Sequence, residues 1–427
     1  MIKTVTPSPL SGQLHVMPSK SASHRAVMMA ALAQGETTLA PLQLSRDIVA
    51  TLSCAKALGL VGDVFTTAHE QPGFVRATLS GGQHFIGSRT LDCGESGSTL
   101  RFFIPLALDG CGPVRFVGHG RLMQRPLDIY EEMFRPLGIR WEKAGDSLIV
   151  DGKLVPGAYS LRGDVSSQFI TGLLLALPQR PGESIIRITT PLESRAYVEL
   201  TRGAQMLFGI QSHWQDKQTL VIPGHQTPRS PGAVHVESDW SHAAFYLTAG
   251  CLSSVGPLSL VGLDLNSAQG DRAIVDVLRS MGAIINTHHG VINVCPSRLH
   301  AIAVDASQIP DLVPILAVAM AAAEGESRIT GAARLRIKES DRLSAMHAAL
   351  TACGADARAL DDGLIIRGGR KLHAATIDGC NDHRIVMAMA VASAISSGDL
   401  TITDAQAVEK SAPAFWEEFA LLGGLAR

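Results

Sequence analysis

Six times along the chain, a polar or charged start leads into a run of small and apolar residues, then a glycine-bearing turn, then a short β-type segment. The first start is Pro18-Ser19-Lys20-Ser21-Ala22-Ser23-His24-Arg25, and its apolar run continues to Ala33. The others lie at Ser96, Ser166, Asp239, Asp311 and Asn381, about seventy residues apart each time. The runs predict helices, and several, such as 169–176, are apolar nearly all round and so should be buried. A second, amphipathic kind of helix interleaves with them at 47–58, 127–137, 197–208, 271–281 and 341–353, each stopping at a glycine. The repeating unit is thus two helices and several strands. This predicts an α/β fold with sheets outside, buried helices within, and the polar helix starts gathered at one end of each bundle.

What sits at those starts changes the picture from packing to chemistry. A helix N-terminus offers unpaired N–H groups and the positive end of the dipole, which suits a phosphate or carboxylate. Lys20 and Arg25 add two cations there, although a solvated cap explains them equally well when they are read alone. The second start, Glu95-Ser96-Gly97-Ser98-Thr99, has a glycine that permits close approach to the backbone. Arg121 and Arg125 precede Pro126 in a turn, suited to a bidentate grip on an anion or to a surface salt bridge. Ser166 and Ser167 either cap the third helix or bind phosphate, with Gln168 beside them. Asp239 reads as an N-cap. Asp311, an acid leading into a buried helix, reads as a candidate general base. In 334–342, alternation predicts a strand followed by a helix start at Ser340-Asp341, placing Lys338, Glu339 and Arg342 at the junction. Arg384 and Lys410 complete the cationic set.

Composition narrows the class. The chain has 427 residues, 46% hydrophobic and 18% charged, with a formal charge of −2. That suits a soluble multidomain protein and gives no sign of a nucleic-acid or membrane partner. Seven scattered cysteines without zinc spacing suit a reducing cytoplasm. No Walker loop, dinucleotide fingerprint or metal motif is present. The balance points to small polyanionic substrates, no cofactor and no metal, with acid/base work by carboxylates and lysine.

These motifs, in this order, resemble the bacterial 5-enolpyruvylshikimate-3-phosphate synthases. The match runs through Pro18-Ser19-Lys20-Ser21 to Arg25, Ser96-Gly97-Ser98 with Arg101, Arg121 to Arg125-Pro126, and Val165-Ser166-Ser167-Gln168. It continues through Ile309-Pro310-Asp311, Lys338-Glu339-Ser340-Asp341-Arg342 and Asn381-Asp382-His383-Arg384. The resemblance implies two similar domains of three βαβαββ units each, an inside-out α/β barrel of enolpyruvyl transferase type. One domain would comprise 1–19 and 238–427, the other 20–237, with crossovers near 19–20 and 237–239 and substrates bound in the cleft. It implies transfer of the enolpyruvyl group of phosphoenolpyruvate to the 5-hydroxyl of shikimate 3-phosphate; a monomer is expected. By motif match, Lys20, Ser21, Arg25, Ser166, Ser167, Gln168, Ser194, Tyr197, Asp311 and Lys338 would hold shikimate 3-phosphate. Lys20, Gly97, Arg125, Gln168, Arg342, Arg384 and Lys410 would hold phosphoenolpyruvate, and Asp311, Glu339 and Lys20 would be catalytic. Glu95, Arg334 and His24 each replace an asparagine common in the family. The alternatives are the sister transferase acting on UDP-N-acetylglucosamine, which usually carries a Lys-Asn pair where Lys20-Ser21 stands, and a non-catalytic anion-binding protein of the same fold.

Overall fold

The computed structural model describes residues 1–57, 59–66, 73–81, 89–288 and 290–427. The chain divides into two compact units, one of Met1–Met17 with Glu237–Arg427 and one of Pro18–Val236. Among the described residues each unit contains three four-stranded sheets of one design: a parallel pair followed by two antiparallel neighbours.

In the unit of Pro18–Val236 the sheets run, in spatial order, Ala233–His235, Glu36–Leu42, Val75–Ser80, Val61–Phe65; then Thr90–Asp92, Val114–Val117, Ser147–Asp151, Arg140–Ala144; then Ala158–Leu161, Ser184–Ile188, Thr219–Ile222, His213–Trp214. In the other unit they run Gly12–His15, Leu258–Val261, Val291–Cys295, Ile284–His288; then Ala303–Asp305, Gly325–Thr330, Gly363–Gly368, Asp356–Leu360; then Ala375–Ile377, Leu400–Ile402, Lys3–Thr6, Leu425–Ala426. A parallel pair needs a crossover, and in four sheets a buried helix between its two strands supplies it. In the remaining two sheets the strands are exchanged. Gly12–His15 precedes the first buried helix but pairs with Leu258–Val261. Ala233–His235 precedes the fourth but pairs with Glu36–Leu42.

Among the described residues twelve α-helices alternate in kind along the chain: α1 (Lys20–Leu32), α2 (Arg46–Ala57), α3 (Gly97–Ala107), α4 (Asp128–Phe134), α5 (Gln168–Ala176), α6 (Arg195–Leu207), α7 (Trp240–Leu252), α8 (Ile274–Ser280), α9 (Val313–Ala322), α10 (Arg342–Ala352), α11 (His383–Ala392) and α12 (Phe415–Leu421). The odd-numbered helices are the buried set that the six runs predict. In α9, every residue from Val313 to Ala321 is buried. The even-numbered helices keep an exposed face. Leu58, where the sequence ends the second helix, lies outside the described residues, and α12 has no counterpart in the sequence reading. Arg334 to Ile337 is not a strand but part of a 3-10 turn, Ala333–Ile337. Its apparent alternation has another cause: Arg336 reaches sideways to the carbonyls of Leu360 and Asp361 at 2.7 and 3.0 Å and to Asp341 at 2.8 Å.

Helix α5 shows how tightly the buried set packs. Gly172 sits in its interior, where glycine costs about 0.5–1 kcal/mol relative to alanine. A Cβ there would land on the Tyr130 hydroxyl and the Arg101 carbonyl oxygen. Gly172→Ala is therefore expected to destabilise the protein by about 1–3 kcal/mol through overpacking, read as a lower urea midpoint. An unchanged midpoint would show that α3 and α5 are not held this close.

Candidate active site

In the unit of Pro18–Val236, three helix starts carry the expected residues. Ser19 caps α1, its Oγ accepting from the Ala22 N–H. Lys20 opens the helix, and its Nζ donates to Asp47 of α2 at 2.9 Å. Arg25 is 3% exposed and is fixed on several sides. It donates to Thr201 Oγ1 at 2.8 Å, to the Ser21 carbonyl at 2.8 Å and to the Tyr197 carbonyl at 3.0 Å. Burial pulls its guanidinium down to about 10, so it remains a cation at neutral pH. Arg25, Ser21 and Tyr197 are thus brought into one cluster. Ser194 stands nearby in sequence at the start of α6 with φ of 53°, a left-handed conformation that costs a non-glycine residue about 1–3 kcal/mol.

The second cluster joins α3, α5 and the Arg125 turn. Ser96 caps α3 by accepting from Thr99 N–H at 3.2 Å. Gly97 follows, and a Cβ on it would lie 2.6 to 2.9 Å from the Arg125 guanidinium. Gln168 is held from both ends: its amide donates to Ser98 Oγ at 2.9 Å and its carbonyl accepts from Arg101 at 2.7 Å. Ser166 Oγ accepts from the Gln168 N–H at 3.3 Å. Ser167 occupies the N-cap of α5 without a side-chain capping bond, so capping does not account for its hydroxyl. His24, one of the residues departing from the family pattern, is buried and bonded to Thr51 at 2.7 Å. Burial, then Lys20 and Arg25, hold it well below the ordinary histidine range, so it is neutral.

The other unit holds the acids. Arg342, 1% exposed, opens α10 and donates to three carboxylates: Asp382 at 2.8 Å, Asp311 at 2.9 Å and Glu339 at 2.8 Å. Arg384, on the first turn of α11, bonds the second Asp311 oxygen at 3.0 Å and the Asp311 carbonyl at 3.1 Å. Burial alone would push the Asp311 carboxyl up, but Arg384, Lys338 and Arg342 outweigh it and hold the group well below the usual carboxylate range. Lys338 moves the other way: burial lowers its amine to about 8 against the pull of Asp311. Lys410 donates to the Asn381 carbonyl at 2.6 Å, at a turn where Cys380 and Asn381 both have positive φ. Asp239 is the N-cap of α7, accepting from His242 N–H at 2.8 Å. Among the described residues no group of three or more His, Cys, Asp or Glu is placed to hold a metal, and no helix is long and apolar enough to cross a membrane.

A sequence model of the family EPSP synthase (3-phosphoshikimate 1-carboxyvinyltransferase) matches residues 5–419. The chain belongs to the EPSP synthase family. Its activity is that of the family, carboxyvinyl transfer to 3-phosphoshikimate in the shikimate pathway, so this reading holds over the sugar-nucleotide and non-catalytic alternatives. The chain is 43% identical to the 3-phosphoshikimate 1-carboxyvinyltransferase of Clostridium novyi (strain NT) over 99% of its own length and 97% of that protein. It is 39% identical to the protein of the same name from Clostridium kluyveri, with the same coverage. In structure it is similar to the EPSP synthase of Acinetobacter baumannii, with TM-score 0.80, 25% identity and coverage of 100% and 99% of the two chains. The enolpyruvyl transferase NikO of Streptomyces tendae, at TM-score 0.78, 17% identity and coverage of 100% and 98%, shares the fold.

The sequence does not single out Asp382 and Asp47, which pair with Arg342 and Lys20. Asp382 is fully buried. It caps α11 through the Arg384 N–H at 3.0 Å, accepts from Ser340 at 2.9 Å and faces Arg342 Nε. Its signal was present in Asn381-Asp382-His383-Arg384, where an acid precedes a helix, but its partner is 40 positions away. Burial would raise the Asp382 carboxyl, and Arg342 overrides this and lowers it. A depressed carboxyl contributes stability above the ordinary aspartate pKa and loses it as pH falls through the folded value. Asp382→Asn, which leaves Arg342 partly uncompensated, is expected to cost about 3–5 kcal/mol at neutral pH. The gap to the parent protein should narrow below about pH 4. Urea midpoints at the two pH values check this, and equal midpoints at neutral pH would contradict it.

Proposed function

We propose that the two sets of residues serve one reaction, with phosphoenolpyruvate as donor and the 5-hydroxyl of shikimate 3-phosphate as acceptor. In this reading Ser21, Arg25, Ser166, Ser167, Ser194 and Tyr197, with Lys20, Gln168, Asp311 and Lys338, hold shikimate 3-phosphate. Lys20, Gly97, Arg125, Gln168, Arg342, Arg384 and Lys410 hold phosphoenolpyruvate. The observation that carries it is the sharing of Arg342 by Asp311 and Glu339 at 2.9 and 2.8 Å. Two carboxylates of different environment on one cation suit a reaction with two proton transfers.

The steps follow from the substrates. The methylene carbon of phosphoenolpyruvate gains a proton, which leaves cationic character at C2. The acceptor hydroxyl attacks C2 and loses its proton to a base. The resulting ketal phosphate expels phosphate and loses a methyl proton, restoring the vinyl group. Glu339 is assigned the methyl proton and Asp311 the hydroxyl proton, with Lys20 and Lys338 assisting. Asp311 is a weak base while Arg342 and Arg384 bind it. When substrate phosphate and carboxylate draw on those arginines, the field on Asp311 weakens and its basicity rises towards that of an ordinary carboxylate. The cations also hold two mutually repelling anions in reacting geometry. The chain is taken as a cytoplasmic monomer with no nucleic-acid or membrane partner. Seven free thiols support the reducing compartment.

Phosphate release on mixing shikimate 3-phosphate with phosphoenolpyruvate tests the reading directly. Release with UDP-N-acetylglucosamine instead would overturn it. Glu339→Ala should lower kcat by about 100- to 10,000-fold with substrate binding largely kept, and near-parental turnover would remove Glu339 from the mechanism. Gly97→Ala should drive Arg125 aside and raise KM for phosphoenolpyruvate by about tenfold, the scale of one lost charge-assisted bond. An unchanged KM would separate Gly97 and Arg125 from that substrate.

A further inference from the structure

Asp271 lies on the 3-10 turn Gly270–Ala273 that leads into α8, and it is 1% exposed. One carboxylate oxygen, Oδ2, accepts a hydrogen bond from Ser241 on the first turn of α7. The other, Oδ1, is buried with no hydrogen-bond partner among the described residues. The charged groups whose fields act on Asp271 include Asp311 on the turn before α9, Arg384 on α11 and Asp239 at the N-cap of α7. Its neighbours on its own turn and helix, Arg272 and Asp276, are exposed.

An ionised carboxylate with one bare buried oxygen is costly, and two further acids make it more so. A neutral carboxyl avoids most of that cost. Burial, reinforced by Asp311, pushes the Asp271 carboxyl up to about 7. Asp311, although also shielded from water, is pulled in the opposite direction by its own cations. Neighbouring carboxyls driven apart in this way take different protonation states at the same pH.

We propose that Asp271 is a positioning residue for phosphoenolpyruvate: in its neutral form beside Asp311 it leaves the Arg384 guanidinium to the anionic substrate. Asp271 touches no reacting atom and acts through Arg384. When Asp271 loses its proton, a second carboxylate competes with the substrate for that cation. The proposal rests on the assignment of Arg384 to phosphoenolpyruvate.

The test compares KM for phosphoenolpyruvate between about pH 6 and about pH 8.5 in the parent protein and Asp271→Asn. The substrate's own ionisation is common to both. The rise in KM with pH should be larger in the parent by about fivefold or more, a modest effect for one charge near an anion site, while the kcat profiles keep one shape. Carbon-13 spectra of aspartate-labelled parent protein should show one carboxyl titrating near neutrality, absent from Asp271→Asn. By linkage, phosphoenolpyruvate should raise its midpoint. Parallel KM profiles, no aspartate titrating near neutrality, or a midpoint that phosphoenolpyruvate does not move would each overturn the proposal. The spectra need only the parent protein if the variant does not fold. An unchanged KM in Arg384→Ala would overturn the Arg384 assignment itself. Parallel profiles with the Arg384 effect intact would overturn the role of Asp271 alone.

Discussion

A single buried guanidinium organises the acidic half of this chemistry. Arg342 gives hydrogen bonds to Asp382, Asp311 and Glu339, and these come from three separate stretches of chain. A cation this deeply buried is tolerable only because it is so fully paired. Its burial would lower its basicity, but the carboxylates, Asp382 foremost, raise it instead. The same contacts fix the two acids assigned to proton transfer. Asp382 performs the structural part, since it also caps α11 and so places Arg384. Arg384 returns to Asp311, which closes the circuit. Any change in what these arginines face is therefore felt at Asp311.

The fold makes such a knot possible by repetition. Each sheet is short and covers one buried helix of small and apolar residues, and a polar or charged side chain lies on the first turn of each buried helix or just before it. Placing charge at the helix starts spares the helix bodies, which remain dry. The pairing of Gly12–His15 with Leu258–Val261 ties the N-terminal stretch to Glu237–Arg427, whereas Ala233–His235 closes the unit of Pro18–Val236 with the last strand of its own continuous run. In the unit of Pro18–Val236 the counterpart of the Arg342 knot keeps its positive charge: Arg25 is held by the neutral groups of Thr201, Ser21 and Tyr197, with no carboxylate among those donor contacts. Under the proposed reaction, that difference separates the unit that grips phosphate from the unit that moves protons.

Much of this was legible in the sequence because it is local. The buried helices announce themselves by uniform apolarity, Ser19 and Asp239 by their place before a helix, and Gly97 by its motif. The rest is long-range or conformational. Asp382 and Asp271 look like ordinary helix-start acids until their partners, 40 and 30 positions away, are brought to them. Arg334 to Ile337 alternates like a strand, yet Arg336 spends its donors on a neighbouring turn and the segment winds into a 3-10 turn. Ser167 looks like a cap and is not one. Local pattern cannot reveal which polar group will satisfy another across the bundle.

Under the proposed mechanism, substrate anions relieve Asp311 of its arginines and so restore its basicity. Calorimetry in buffers of different ionisation enthalpy measures the protons taken up when shikimate 3-phosphate and an unreactive phosphoenolpyruvate analogue bind together. Uptake beyond the ligands' own is expected, growing as pH falls from about 7 to about 5 and reduced in Asp311→Asn. Uptake equal in the parent and in Asp311→Asn throughout that range would contradict it.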